Sequence, residues 1–187
     1  LDAMVYEYRR VVGAPKNMVA GMAGVLDSAR FQLFVAREAG VSVKDVRPMV
    51  LGGHGDDMVP VLSTTTINGI PVSALIAKDK LDKIVERTRK GGGEIVNLMG
   101  TSAYYAPASS AVAMAKAYLR DEKRLLAAAA YLEGEYGYND LFIGVPCIIG
   151  GKGVEKIVQI PLSEDEKAML AKSAKSVQAV VDICKKG

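Results

Sequence analysis

The chain contains a single histidine, His54, in the run Gly52-Gly53-His54-Gly55-Asp56-Asp57. Glycines on both sides remove side-chain bulk and let a ligand or another stretch of backbone come close. An imidazole near a carboxylate exchanges protons at neutral pH, which suits general acid–base chemistry. A lone histidine is also commonly structural, and on these residues alone both readings stand. A second cluster is Asp27-Ser28-Ala29-Arg30. On a helix, residues three apart share a face, so Asp27 and Arg30 pair. One reading is a solvated ion pair worth little. The other has Arg30 gripping a substrate carboxylate through its planar fork of donors, with Asp27 orienting a histidine that the fold brings near.

The remaining reactive residues group less well. Gly150 to Gly153 lacks the phosphate-loop pattern and lies between two strand-like runs, so it reads as a hairpin turn. Gly91-Gly92-Gly93 matches neither a phosphate loop nor a dinucleotide fingerprint. Ser28, Ser102, Ser109 and Ser110 stand outside any nucleophile-elbow pattern. Asp56 and Asp57 are adjacent acids without further spaced ligands, which is a weak basis for a metal site. Cys147 and Cys184 form no closely spaced pair, and one histidine completes no zinc set. They read as reduced thiols of a cytoplasmic protein.

The elements that must position these residues come from periodicity. A helix is expected over Asp2 to Val12, ended by Gly13-Ala14-Pro15. A strand end follows at Met18 to Gly21. Met22, Val25, Leu26, Ala29 and Leu33 then recur at helical spacing, predicting a helix to about Arg37 with Gly40 as its stop. Val46 to Gly52 predicts a strand running into the histidine loop. Val59 to Leu62 and Thr64 to Ile67 read as extended, with Asn68-Gly69 a hairpin turn. Ala77 to Arg89 is helical, and the glycine run after it should break the helix on propensity. Ala108 to Arg120 is helical. Leu125 to Leu132, Leu141 to Ile149 and Val154 to Ile160 suit strands. Ser163 and Glu166 form a capping box for a last helix reaching Cys184. Helices packed on antiparallel hairpins give an α+β class.

With 187 residues, half of them hydrophobic, the chain can bury a real core. The net charge of +3 is small, and Lys and Arg are interspersed with Asp and Glu. Aromatics are sparse, so no nucleic-acid surface is expected. No apolar run reaches the roughly 18 residues of a membrane span, and no signal-peptide layout is present.

Three ordered motifs together resemble the lactate/malate dehydrogenase superfamily. Met22 to Phe31 is similar to its LDxxR segment, and Val50 to Asp56 to its GxHGD loop. Gly100-Thr101-Ser102-Ala103-Tyr104-Tyr105-Ala106-Pro107-Ala108 resembles the lactate-dehydrogenase-like malate dehydrogenases of bacteria. The likeness covers essentially the whole chain. It implies the fold of that superfamily's C-terminal substrate domain over residues 22–187. Residues 1–21 would be the last helix and strand of a truncated NAD-binding Rossmann domain.

The same resemblance implies roles. His54 carries the proton between malate and oxaloacetate, Asp27 holds the far ring nitrogen, and Arg30 binds the C1 carboxylate of a small dicarboxylic acid. Ala103, where lactate dehydrogenases generally have a larger threonine, leaves room for a second carboxylate; lactate remains the alternative substrate. NAD is the implied cofactor, with most of its site in a missing N-terminal Rossmann half. A homo-oligomer is the implied assembly, and a non-catalytic folding or oligomerisation module is the competing reading for these residues alone. The family also continues a helix through Gly91 to Gly93, so a kinked or irregular helix is expected there.

Overall fold

The computed structural model describes residues 1–186. Helix α1 (Asp2–Val12) ends on Gly13 in the left-handed conformation, as its position after the last turn favours. A short 3-10 turn (Lys16–Met18) follows, and only Gly21 pairs with a strand, bridging Ala129. The expected strand at 18–21 is thus reduced to one bridge. Helix α2 (Gly24–Ala39) starts two residues after Met22, the first position of its apolar repeat. Its buried stripe is Leu26, Phe31, Val35 and Ala36, while Leu33 is exposed. Leu33 fits the helical repeat by hydrophobicity alone, but it lies off the face of α2 that meets the sheet.

The expected strand over 46–52 is two pieces, β1 (Val46–Arg47) and β2 (Val50–Leu51). Pro48 separates them, and its missing N–H cannot serve a ladder. Strand β3 (Val59–Pro60) pairs antiparallel with β2. Strands β4 (Thr66–Ile67) and β5 (Ile70–Pro71) form the expected hairpin beside β1. Asn68 and Gly69 both take positive φ, 49° and 86°, which is why this dipeptide turns so tightly. A single turn, α3 (Val72–Leu75), leads into α4 (Lys78–Met99).

Helix α4 runs through Gly91-Gly92-Gly93, as the resemblance implies and contrary to the break that propensity predicts. Tertiary packing outweighs a propensity deficit of about 3 kcal/mol for three glycines relative to alanine. Leu81, Ile84, Thr88 and Gly91 face α2 and are buried. Arg87 and Glu94 clasp the run from outside with two hydrogen bonds of 3.1 and 2.7 Å. Gly91 has a specific use: a Cβ there would meet Arg30 Cδ at 3.2 Å, whereas one on Gly93 would meet nothing within 4 Å. Gly93→Ala is therefore expected to stabilise the chain by about 0.5–1 kcal/mol, raising Tm by roughly 2–4 °C. Gly91→Ala should gain less, because Arg30 must yield. Equal gains in thermal melts of the two variants would contradict this packing.

Helix α5 (Tyr105–Leu119) begins three residues before its expected start and takes Pro107 in its first turn, where no N–H is needed. Strands β6 (Arg124–Glu133), β7 (Asn139–Gly150) and β8 (Gly153–Ile157) form an antiparallel meander. Ala127 to Ala130 are helix formers, yet they sit in β6 almost fully buried. Their small size lets α2 press onto the strand. A Cβ on Gly24 would lie 2.6 Å from Ala127 Cβ. Helix α6 (Glu164–Cys184) closes the fold, with the expected capping box between Ser163 and Glu166. It packs on α1, β3 and β7. The sheet of β6, β7 and β8 with α1 and α6 holds one core cluster; α2, α4 and the short strands hold a second. Helices on antiparallel strands confirm the α+β class.

Candidate functional site

The histidine loop leaves β2 at the junction of the two cores. Gly52 and Gly144 of β7 exchange hydrogen bonds, 2.8 Å from Gly52 N to Gly144 O and 3.1 Å in return. The backbones approach too closely for a Cβ on Gly144, which would run into the Gly52 carbonyl. Gly52 itself has φ 86°. This contact delivers His54 to the face of α2 that carries Asp27 and Arg30.

There the fold brings the first three candidates together. His54 Nδ1 lies 2.8 Å from Asp27 Oδ2. Arg30 Nη1 donates to Asp27 Oδ1 at 3.4 Å. The Asp27 side chain is only 2% exposed, which rules out the solvated surface pair as its explanation. A buried carboxylate is tolerated only with partners, and here it has two. The nearby Ser28 hydroxyl accepts from Val50 N–H at 3.2 Å, fastening α2 to β2.

The Asp27 hydrogen bond raises the His54 imidazole above its ordinary pKa. Burial and the Arg30 charge act in the opposite direction. Asp27 engages Nδ1, so the Nδ1–H tautomer is the one held in the neutral ring. Nε2 makes no hydrogen bond among the described residues and is the nitrogen able to take up or give a proton. Arg30 has a mostly buried side chain, 16% exposed, whose stem lies against Gly91. Among the described residues its guanidinium makes only the one bond to Asp27, leaving further donors of the fork for an anion.

Ala103 is placed differently. It lies in the connector before α5, partly exposed, and no hydrogen bond links it to the other three. Helix α5, which follows this connector, touches α2. Asp57 is occupied structurally: Ser176 Oγ donates to it at 2.8 Å and Lys172 pairs with it at 3.0 Å. Those contacts hold its carboxyl below the usual range, the Ser176 bond most of all.

Sequence reasoning missed Asp2, Ser173 and Gly91. Asp2 Oδ2 accepts from His54 N–H at 3.0 Å, and Ser173 Oγ accepts from Gly53 N–H at 2.8 Å. Nothing local marks either residue, since each acts across a long stretch of chain. Among the described residues no helix is long and apolar enough to cross a membrane.

An antiparallel α+β domain that seats an exposed histidine on a buried carboxylate, beside a mostly buried arginine, defines a class, and comparison with known proteins agrees. The model of the lactate/malate dehydrogenase α/β C-terminal domain matches residues 24–186. The chain belongs to the lactate/malate dehydrogenase family. It is 71% identical over 185 residues to a malate dehydrogenase of Sorangium cellulosum, covering 99% of this chain and 59% of that protein. The structure superimposes on malate dehydrogenase from Salinibacter ruber with a TM-score of 0.97 and 52% identity, covering 100% of this chain and 61% of that one. It matches equally, at 41% identity and TM-score 0.97, a lactate dehydrogenase of Cryptosporidium parvum complexed with lactic acid and nicotinamide adenine dinucleotide, again covering 100% of this chain and 61% of that one. The chain thus spans about three fifths of the length of these relatives.

Proposed function

We propose that the chain is the substrate-binding, proton-transferring part of an NAD-dependent malate dehydrogenase, interconverting malate and oxaloacetate. The observation that carries this reading is the buried Asp27 carboxylate, which engages His54 Nδ1 at 2.8 Å and Arg30 at once. In this reading His54 Nε2 accepts the hydroxyl proton of malate, and returns a proton to the carbonyl oxygen of oxaloacetate in the reverse direction. Asp27 keeps the ring in the productive tautomer and stabilises it when charged. Arg30 binds the C1 carboxylate and so fixes the reacting carbon against His54. Ala103 leaves space for the second carboxylate, which favours a C4 acid over lactate. Nicotinamide, where bound, supplies the hydride acceptor.

Neither glycine run forms a phosphate-binding loop between a strand and a helix. Gly91 to Gly93 lie inside a helix, and Gly150 to Gly153 turn the hairpin between β7 and β8. The reading therefore assigns NAD to an upstream half, with residues 1–21 as the end of that Rossmann unit and 22–187 as the substrate domain. The relatives' greater length leaves room for such a half. A cytoplasmic homo-oligomer belongs to the same proposal. Exposed Met4, Tyr8, Val11 and Val12 on α1 and Tyr105, Val112 and Leu119 on α5 offer apolar surface for the upstream half or a second copy.

The test is to assay NAD reduction by malate with the 187-residue chain and with the chain joined to the preceding segment of its own gene. The chain alone should give no turnover, and the joined protein robust turnover. Activity of the chain alone, or none in a folded joined protein, would overturn the proposal.

A further inference from the structure

The segment that carries His54 is held from behind at three successive residues. Gly52 is bonded to the β7 backbone, Gly53 N–H is taken by Ser173 on α6, and His54 N–H by Asp2 on α1. Ser173 is 0% exposed and Asp2 4%. Their reach depends on the missing side chains of the loop. A Cβ on Gly52 would sit 2.8 Å from Ser173 Oγ, and one on Gly53 would sit 2.7 Å from Val177 Cγ2. Immediately after the loop, Ser176 and Lys172 fasten Asp57 to the same helix.

Asp2 also bears a cost that packing does not explain. Its Oδ1 is buried with no hydrogen-bond partner among the described residues. A buried, half-satisfied carboxylate is unfavourable, and apolar residues could fill such a place more stably. What Asp2 does provide is an acceptor aimed at one backbone N–H, the one on the residue whose imidazole is locked by Asp27 at its other end.

We propose that Asp2 and Ser173 are positioning residues. From two different helices they grip the successive N–H groups of His54 and Gly53, and so fix the direction in which His54 Nε2 points. This rests on the reading of His54 as proton carrier. Asp27 restrains the ring through Nδ1, but a ring anchored at one nitrogen still swings with its backbone. Asp2 and Ser173 remove that freedom. Displacement of a reacting group by about 1 Å costs on the order of 100-fold in rate, so loss of either grip should be visible in turnover.

The test uses Asp2→Ala, Asp2→Asn and Ser173→Ala. In the joined protein, amide hydrogen exchange is read at Gly53 and His54 by NMR. Asp2→Ala should speed exchange at His54, and Ser173→Ala at Gly53, each by about 10-fold or more, the scale of one lost buried hydrogen bond. In the joined protein both should lower kcat by about 10- to 100-fold while KM for malate moves little, because Arg30 is untouched. Asp2→Asn keeps an oxygen acceptor and should restore both readouts most of the way. Folded variants with unchanged exchange, an active protein with unchanged kcat, or an Asp2→Asn no better than Asp2→Ala would each overturn the proposal. If Asp2→Ala does not fold, Ser173→Ala and Asp2→Asn decide it. Should the joined protein not oxidise malate, the functional reading fails, and the exchange rates still settle whether the grip exists.

Discussion

His54→Asn in the joined protein is expected to lower kcat for malate oxidation by about 1,000-fold, with KM changed only a few-fold. General acid–base catalysis by a positioned side chain contributes about 100- to 10,000-fold, and the asparagine amide does not exchange protons near neutral pH. Substrate is gripped mainly through Arg30, whose surroundings the variant leaves alone, so the loss belongs in kcat. Steady-state kinetics in both directions check this. A kcat near the parent value would remove His54 from the chemistry and leave it a structural histidine.

Asp27→Asn carries the second-largest effect, about a 100-fold loss in kcat with a change in pH dependence. With Asp27 the imidazole pKa is raised; without its charge, burial and Arg30 favour the neutral ring, opposed only by the smaller pull of the Asp2 carboxylate. The sign then follows for each direction. Oxaloacetate reduction needs protonated His54, so its rate falls as pH rises through the raised pKa. Malate oxidation needs the neutral ring and rises over the same interval. Asp27→Asn should move both transitions to lower pH. The asparagine amide can also present its NH2 to Nδ1, which favours the other tautomer of the neutral ring. A pH profile that keeps its midpoint in the variant would contradict the pairing, whatever the loss in rate.

The chemistry at the front of the site was legible in the sequence because it sits in short motifs. Glycines beside His54 and the three-residue step from Asp27 to Arg30 have meanings that follow from backbone bulk and helix geometry. The same holds for the Asn68-Gly69 turn and the Ser163–Glu166 capping box, both of which are local. The support behind the site was not legible. Asp2 lies 52 residues from His54, and Ser173 120 residues from Gly53. No periodicity marks a side chain that acts across such a gap.

Misread elements share the same cause. Leu33 fits a helical stripe, but the face of α2 that meets the sheet is the one bearing Leu26, Phe31 and Val35. The glycine run at 91–93 is unfavourable for an isolated helix. In the fold, α2 lies against α4, and the bare surface of Gly91 is where the Arg30 stem rests. A local penalty there serves a distant residue of the site. Functional positions are where local rules and the final structure are expected to disagree.

Because His54 is the only histidine among the 187 residues, its ring can be titrated by NMR without ambiguity of assignment. The central claim is that Asp27 holds this imidazole as a proton carrier. It requires a midpoint above the ordinary histidine value of about 6.5 in the unaltered chain, and one clearly lower in Asp27→Asn. A midpoint at or below 6.5 in the unaltered chain, or one that Asp27→Asn leaves in place, would contradict it.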